Sequence, residues 1–259
     1  MKFGICTDWK NEQNLLAAKA AGADYVELNF QSFADQSKET IAALGARLDA
    51  YGLPCLAYNG MLPGALRVTG EKKSFAAARD FVAAVLEKVQ VLPARTVVFG
   101  SGAARMLDGN NTKENGMQEL TEFLRDYAAP TFAAYGFTCV IEPLSECNFL
   151  RTMQDGMALA KAVDHPAIRL LADFYHVGAL GEDLCDFASY RDYLRHAHIA
   201  AVAGRAFPRA GDGEDYAAIL RALRAAGYNG YLSVEAVPSP DRELATEYRD
   251  ALAVLRAAQ

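Results

Sequence analysis

Short apolar runs alternate along the chain with longer stretches in which apolar positions recur at helical spacing. The runs are Phe3 to Thr7, Tyr25 to Leu28, Cys55 to Tyr58, Thr96 to Phe99, Cys139 to Glu142, Arg169 to Asp173, Arg195 to Ile199 and Tyr231 to Val234. Apolar on both alternating sets of positions, they have the pattern of strands buried on both faces of a parallel sheet. Amphipathic stretches near residues 11–21, 37–51, 73–91, 115–135, 152–163, 184–193, 214–226 and 241–257 separate or follow them. Four Ala-rich stretches end at a glycine just before a strand, at Gly22, Gly52, Gly136 and Gly227. Glycine there can take the left-handed conformation that closes a helix. Strand-helix units of about 32 residues, repeated eight times, predict an α/β chain folded as a single (β/α)8 TIM barrel. With no Ser/Gly/Pro-rich linker, one domain is expected over residues 1–259. A doubly wound open sheet would usually place a glycine-rich phosphate loop after the first strand, where this chain has Thr7, Asp8, Trp9, Lys10 and Asn11.

The chain has 259 residues, 52% of them hydrophobic and 22% charged, which is ample for a large core. A formal net charge of −6 argues against nucleic acid as a partner, since phosphate-backbone binders present basic surfaces. The start lacks the apolar stretch of a signal peptide and no run is long enough to span a bilayer. A cytoplasmic protein with no membrane partner is therefore expected. Its cysteines, Cys6, Cys55, Cys139, Cys147 and Cys185, are odd in number and show no Cys-x-x-Cys spacing, so reduced thiols are expected.

The chemistry concentrates late in the chain. Four successive runs each carry one group able to hold a divalent metal, in the order Glu142, Asp173, His198 and Glu235. A barrel brings the exits of neighbouring strands about 4.8 Å apart, so these groups can converge at its mouth. Burying them separately would be costly, whereas one shared ion accounts for all four. Three carboxylates and an imidazole suit a hard divalent metal ion, Mn2+ first, with Mg2+, Co2+ or Zn2+ as alternatives. The rival is that each acidic group caps a helix or pairs with a base.

Other positions allow two roles each. His196 lies two residues from His198 and shares its face, which favours a packed, hydrogen-bonded group. Glu27 can sit inside the barrel as a structural hydrogen-bond acceptor or touch substrate. Gly100, Ser101, Gly102 and Arg105 can cradle a phosphate or form a tight turn. Trp9 and the segment Tyr58 to Gly64 can wall a sugar site or simply pack.

The segments Gly22 to Glu27, Val98 to Gly102, Ile141 to Leu144, Leu171 to His176, His196 to His198 and Leu232 to Glu235 resemble the xylose-isomerase-like sugar isomerases and epimerases, which share their barrel with AP endonuclease family 2. The likeness spans nearly the whole chain. It implies that Glu142, Asp173, His198 and Glu235 bind the metal and that Glu142 and Glu235 act as catalytic acid/base partners. It further implies that His176 and Arg205 contact substrate, although residues Ile199 to Gly204 depart from the Gly-Glu-x-Asn-Arg usual in the ketose epimerases.

The activity implied is a metal-dependent isomerase or epimerase of a small keto sugar, a sugar phosphate or a hydroxy-keto acid such as hydroxypyruvate. A proton would pass through an enediolate between Glu142 and Glu235: returned to the other face it epimerises, returned to the adjacent carbon it isomerises. A dehydratase of the inosose or dehydroshikimate type can use the same site. A DNA-repair endonuclease fits less well, because those relatives carry further histidines where this chain has Tyr58 and Asn59, Gly100 and Ser101, and Asp212 to Glu214. A non-catalytic sugar-binding relative is the remaining alternative. Large barrel surfaces and family habit imply a homo-oligomer.

Overall fold

Each apolar run becomes a strand: β1 (Lys2–Thr7), β2 (Tyr25–Asn29), β3 (Cys55–Asn59), β4 (Thr96–Phe99), β5 (Thr138–Ile141), β6 (Ile168–Asp173), β7 (Leu194–Ile199) and β8 (Tyr231–Val234). The computed structural model describes residues 1–109 and 111–259. Among these, the strands pair in parallel in chain order and β8 closes back onto β1, giving the expected closed (β/α)8 barrel. Around it run α1 (Glu12–Ala20), α2 (Lys38–Tyr51), α3 (Phe75–Val89), α4 (Gly102–Arg105), α5 (Lys113–Glu122), α6 (Ala129–Tyr135), α7 (Met153–Val163), α8 (Phe174–Leu180), α9 (Tyr216–Ala225) and α10 (Leu244–Ala258). No helix is long and apolar enough to cross a membrane among the described residues.

The alternation of side chains along each strand separates two environments. Phe3, Ile5, Val26, Leu28, Val97, Phe99, Cys139, Ile141, Leu232 and Val234 join the main apolar core. The residues between them belong to the barrel interior, where Val98, Val140 and Leu171 make a small apolar cluster of their own. On the opposite side of the interior the same alternation brings in polar groups: Tyr25 and Glu27 from β2, His196 and His198 from β7, and Ser233 from β8 are all buried. Gly4 leaves room for this, since a Cβ there would lie 2.3 Å from the Tyr25 ring. The Tyr25 hydroxyl lies 2.8 Å from Ser233 Oγ, linking β2 to β8 within the barrel.

One helical expectation holds with a local irregularity and another needs correction. The stretch 115–135 is α5 and α6 joined by a wider turn at Phe123–Ala128. Pro130 sits in the first turn of α6 and has no N–H to donate, so the ordinary helical ladder cannot run through unchanged. The stretch 184–193 holds only a single tight turn, Phe187–Tyr190, and the helix between β6 and β7 is α8, which begins immediately after Asp173. Asp173 caps it by accepting from the Tyr175 N–H at 2.9 Å, and Gly181, at φ 64°, ends it. At seven residues, α8 is too short for a helical period to show in the sequence.

Candidate metal centre

Backbone pairing carries the four charged positions to one end of the barrel. Glu142 follows β5 and donates its N–H to the Phe99 carbonyl at 3.3 Å, while Glu235 follows β8 and donates to Ile199 at 3.1 Å. Asp173 closes β6 opposite His198 of β7. One ligand atom from each of Glu142, Asp173, His198 and Glu235 lies within 4.8 Å of the others. His198 Nδ1 is 3.4 Å from Glu142 Oε1 and 3.3 Å from Glu235 Oε2.

These contacts are not hydrogen bonds. Glu142 Oε1 and His198 Nδ1 are buried without a hydrogen-bond partner, a costly condition for polar atoms. A divalent cation among them would satisfy both atoms, and the oxygen-rich donor set is of the kind hard cations take. The residues therefore fit a metal.

Glu27 determines which histidine nitrogen faces that cluster. Its Oε1 accepts from His198 Nε2 at 2.9 Å, which keeps one ring proton on Nε2 and makes Nδ1 the nitrogen turned toward the acidic residues. Its Oε2 accepts from His196 Nε2 at 2.7 Å and from Ser233 Oγ at 2.6 Å. Burial alone would raise the Glu27 carboxyl, but the two imidazoles outweigh it and hold Glu27 below the ordinary carboxylate range.

The remaining groups show the strain of crowded charge. Burial, and then the neighbouring Glu142, push Asp173 well above its ordinary value. Burial acts on Glu235 in the same direction, but His198 and Arg205 overcome it and lower that carboxyl. For His198, burial opposes the charge while Glu27 and Glu235 more than compensate, so without a cation the ring favours a second proton, on Nδ1, which a cation must displace before that nitrogen can bind it.

Arg205 and His176 both reach this cluster. A left-handed turn through Gly204 (φ 71°) and Arg205 (φ 49°) aims the guanidinium inward. Its Nη2 donates to Glu235 Oε2 at 2.5 Å and to Asp173 Oδ2 at 3.3 Å, and it stacks 4.7 Å from the Tyr175 ring centre. His176 Nδ1 accepts from the Ser145 N–H at 3.1 Å, leaving the proton on Nε2, which lies 3.5 Å from Asp173 Oδ2 and has no hydrogen-bond partner. Burial lowers the pKa of this imidazole, which favours a neutral donor.

The other candidates make packing contacts. Arg105 is fully buried and donates to the Glu142 carbonyl, while Ser101 Oγ accepts from the Leu62 N–H at 2.9 Å, so this segment braces the exit of β5. Trp9 donates to Ser32 Oγ at 2.7 Å and stacks on Phe33 at 5.2 Å. Tyr58 is buried. His196 is hydrogen-bonded within the barrel, as its spacing from His198 suggested. The tie from Glu27 to both histidines was the feature left open by sequence; its signal was a charge in the middle of the apolar run Tyr25 to Leu28.

Solved structures of similar fold include the 3-keto-D-glucoside 4-epimerase of E. coli, with a TM-score of 0.82 and 23% identity over 99% of each chain. D-psicose 3-epimerase of Clostridium cellulolyticum H10 superposes with a TM-score of 0.84 and 21% identity, covering 100% of this chain and 99% of that one. A Xenopus laevis protein described as a candidate hydroxypyruvate isomerase is 26% identical over 134 residues, so the match spans about half of each chain, 49% in both cases. The model of the xylose isomerase-like TIM barrel family matches residues 15–258. With that match running through nearly the whole barrel, the chain belongs to the xylose isomerase-like TIM barrel family.

Proposed function

We propose that this protein is a divalent-metal-dependent isomerase or epimerase acting on a small keto sugar or a short hydroxy-keto acid. The observation that carries the reading is the convergence of Glu142, Asp173, His198 and Glu235, each with a ligand atom within 4.8 Å of the rest. A cation held by these four residues, Mn2+ by preference, would polarise a substrate carbonyl and a neighbouring hydroxyl and so lower the cost of removing the proton between them.

The residues themselves divide the remaining work. Glu142 and Glu235 leave strands β5 and β8, three apart in the barrel, and flank His198. Carboxylates so placed can approach a bound carbon from two sides, one removing the proton and the other returning one. Glu235, held low by His198 and Arg205, is ionised and open to a proton, and a substrate that draws Arg205 away from it would strengthen it as the base. His176, neutral and with its Nε2–H unpartnered, can donate to a substrate oxygen. Arg205, fixed by Glu235 and Asp173 and stacked on Tyr175, can bind another oxygen and complete the wall of the site. The proposed relation to the epimerases and to the Xenopus laevis relative makes ketoses and hydroxypyruvate the first compounds to try.

The test is deuterium uptake. Ketoses and hydroxypyruvate are incubated with the protein and Mn2+ in deuterated water, and incorporation at carbon is followed by mass. Uptake is expected with the native chain, with loss in Glu142→Gln and Glu235→Gln and on chelation. No uptake from any of these compounds, or an enone absorbance in place of an isomeric product, would remove the isomerase reading; the second result would identify a lyase.

A further inference from the structure

The barrel interior carries a polar group that the proposed chemistry does not use. Glu27 is fully buried, on β2, four strand positions round the barrel from the β6 carboxylate Asp173 and next to β1 rather than to the ligand-bearing strands. An isolated carboxylate there would be costly, yet Glu27 has three donors: His198 Nε2 at 2.9 Å, His196 Nε2 at 2.7 Å and Ser233 Oγ at 2.6 Å. Because Ser233 donates to Glu27, its oxygen is left to accept from the Tyr25 hydroxyl, 2.8 Å away. An ionised carboxylate can only accept, so it dictates the direction of every one of these bonds.

From this geometry we infer that Glu27 is a positioning residue for the metal centre: it holds the proton of His198 on Nε2 and so turns the Nδ1 lone pair toward Glu142, Asp173 and Glu235. The inference rests on the metal-centre reading given above. His196 and Ser233 anchor the other carboxylate oxygen and prevent Glu27 from rotating away. The unpartnered state of His198 Nδ1 agrees with this direction, since the nitrogen facing the acidic cluster has no competing hydrogen bond. A partner of this kind typically changes metal affinity about 10- to 100-fold.

Glu27→Gln is nearly isosteric but replaces one acceptor with a donor. At least one of the two imidazoles must then present a lone pair to the new amide, and a proton on His198 Nδ1 would point into the ligand cluster. Calorimetric titration with Mn2+ alone should give an affinity about 10- to 100-fold weaker for Glu27→Gln than for the native chain. Activity is not needed for this measurement. Metal-free melting curves establish that the variant is folded.

A second measurement needs no variant. The chain has four histidines, so nitrogen-15 spectra of the protein loaded with diamagnetic Zn2+ can resolve each ring. The proton of His198 should be found on Nε2, coupled to a hydrogen-bonded signal, with the metal at Nδ1. Metal at Nε2, or Mn2+ affinity in Glu27→Gln within twofold of native, would overturn the positioning role while leaving the metal centre intact. A native chain that takes up neither Mn2+ nor Zn2+ would instead overturn the metal reading itself.

Discussion

At Gly100 the important property is missing volume. A Cβ built there would lie 2.1 Å from Glu142 Oε2, so the carboxylate, the far end of a flexible side chain, must move away from the position it now takes. Gly100→Ala is therefore expected to push the Glu142 side chain out of the cluster while leaving the strand ladder in place. Misplacing a reacting group by about 1 Å can cost on the order of 100-fold in rate. Steady-state kinetics on whichever compound takes up deuterium should register that loss, accompanied by weaker Mn2+ binding and a metal-free melting temperature close to native. Unchanged kinetics would mean that Glu142 does not need this space. The same residue scale explains what was legible beforehand. Glu142, Asp173, His198 and Glu235 were visible because each is a charged or metal-binding group at the exit of an apolar run. Glu27 was visible as a charge within an apolar run, but its partner His196 is 169 residues away, and nothing local to β2 identifies which strand will lie across the barrel.

Among the elements, α7 has the best-defined start, and it comes between the β5 and β6 ligands. Thr152 Oγ1 accepts from the Asp155 N–H at 3.1 Å, and Asp155 Oδ2 accepts in return from the Thr152 N–H at 3.1 Å. Removing the cap with Thr152→Ala should cost about 1 kcal/mol, read as a lower urea midpoint with an unchanged slope. Asp155 adds a pH dependence. Burial would raise its carboxyl, but Lys113, 2.6 Å away, and the N–H groups of Arg151 and Thr152 hold it below the ordinary value. A carboxyl lowered by folding stabilises fully above its unfolded value, about 3.9, and that contribution disappears as pH falls through the lower folded value. The stability gap between native protein and Asp155→Asn should thus be constant near neutrality and close below about pH 4. A gap that widened on acidification would contradict the assignment. The helices that end at Gly22, Gly52, Gly136 and Gly227 were legible in the sequence, because each glycine stands between an Ala-rich stretch and an apolar run. The short α8 was not, because seven residues show no period and its cap, Asp173, also lies in the candidate ligand cluster, so ligand and cap were alternatives in the sequence that the fold makes compatible.

Across the whole molecule, the candidate ligands tie together four consecutive strands, β5 to β8, which are the later half of the closed barrel. Binding there should stabilise the fold by mass action, by about 2.7 kcal/mol when Mn2+ is at a hundred times its dissociation constant. Without the cation, those strands must hold their charges unaided. Asp173 shows the cost: burial and Glu142 raise its carboxyl well above the ordinary value, so its ionisation at neutral pH opposes folding and the penalty is relieved as pH falls. Asp173→Asn removes the charge yet keeps a side chain that caps helices as well as aspartate does, so α8 retains its start. Metal-free Asp173→Asn is accordingly expected to melt no lower than the native chain, even though its guanidinium neighbour Arg205 loses one partner and keeps Glu235. Adding Mn2+ should raise the native melting temperature and leave the variant nearly unmoved, with EDTA returning the native protein to its starting point. A variant that melted well below native before any metal was added would mean that Asp173 serves the fold first, whereas the opposite order is what a site that gives up stability for cation binding requires.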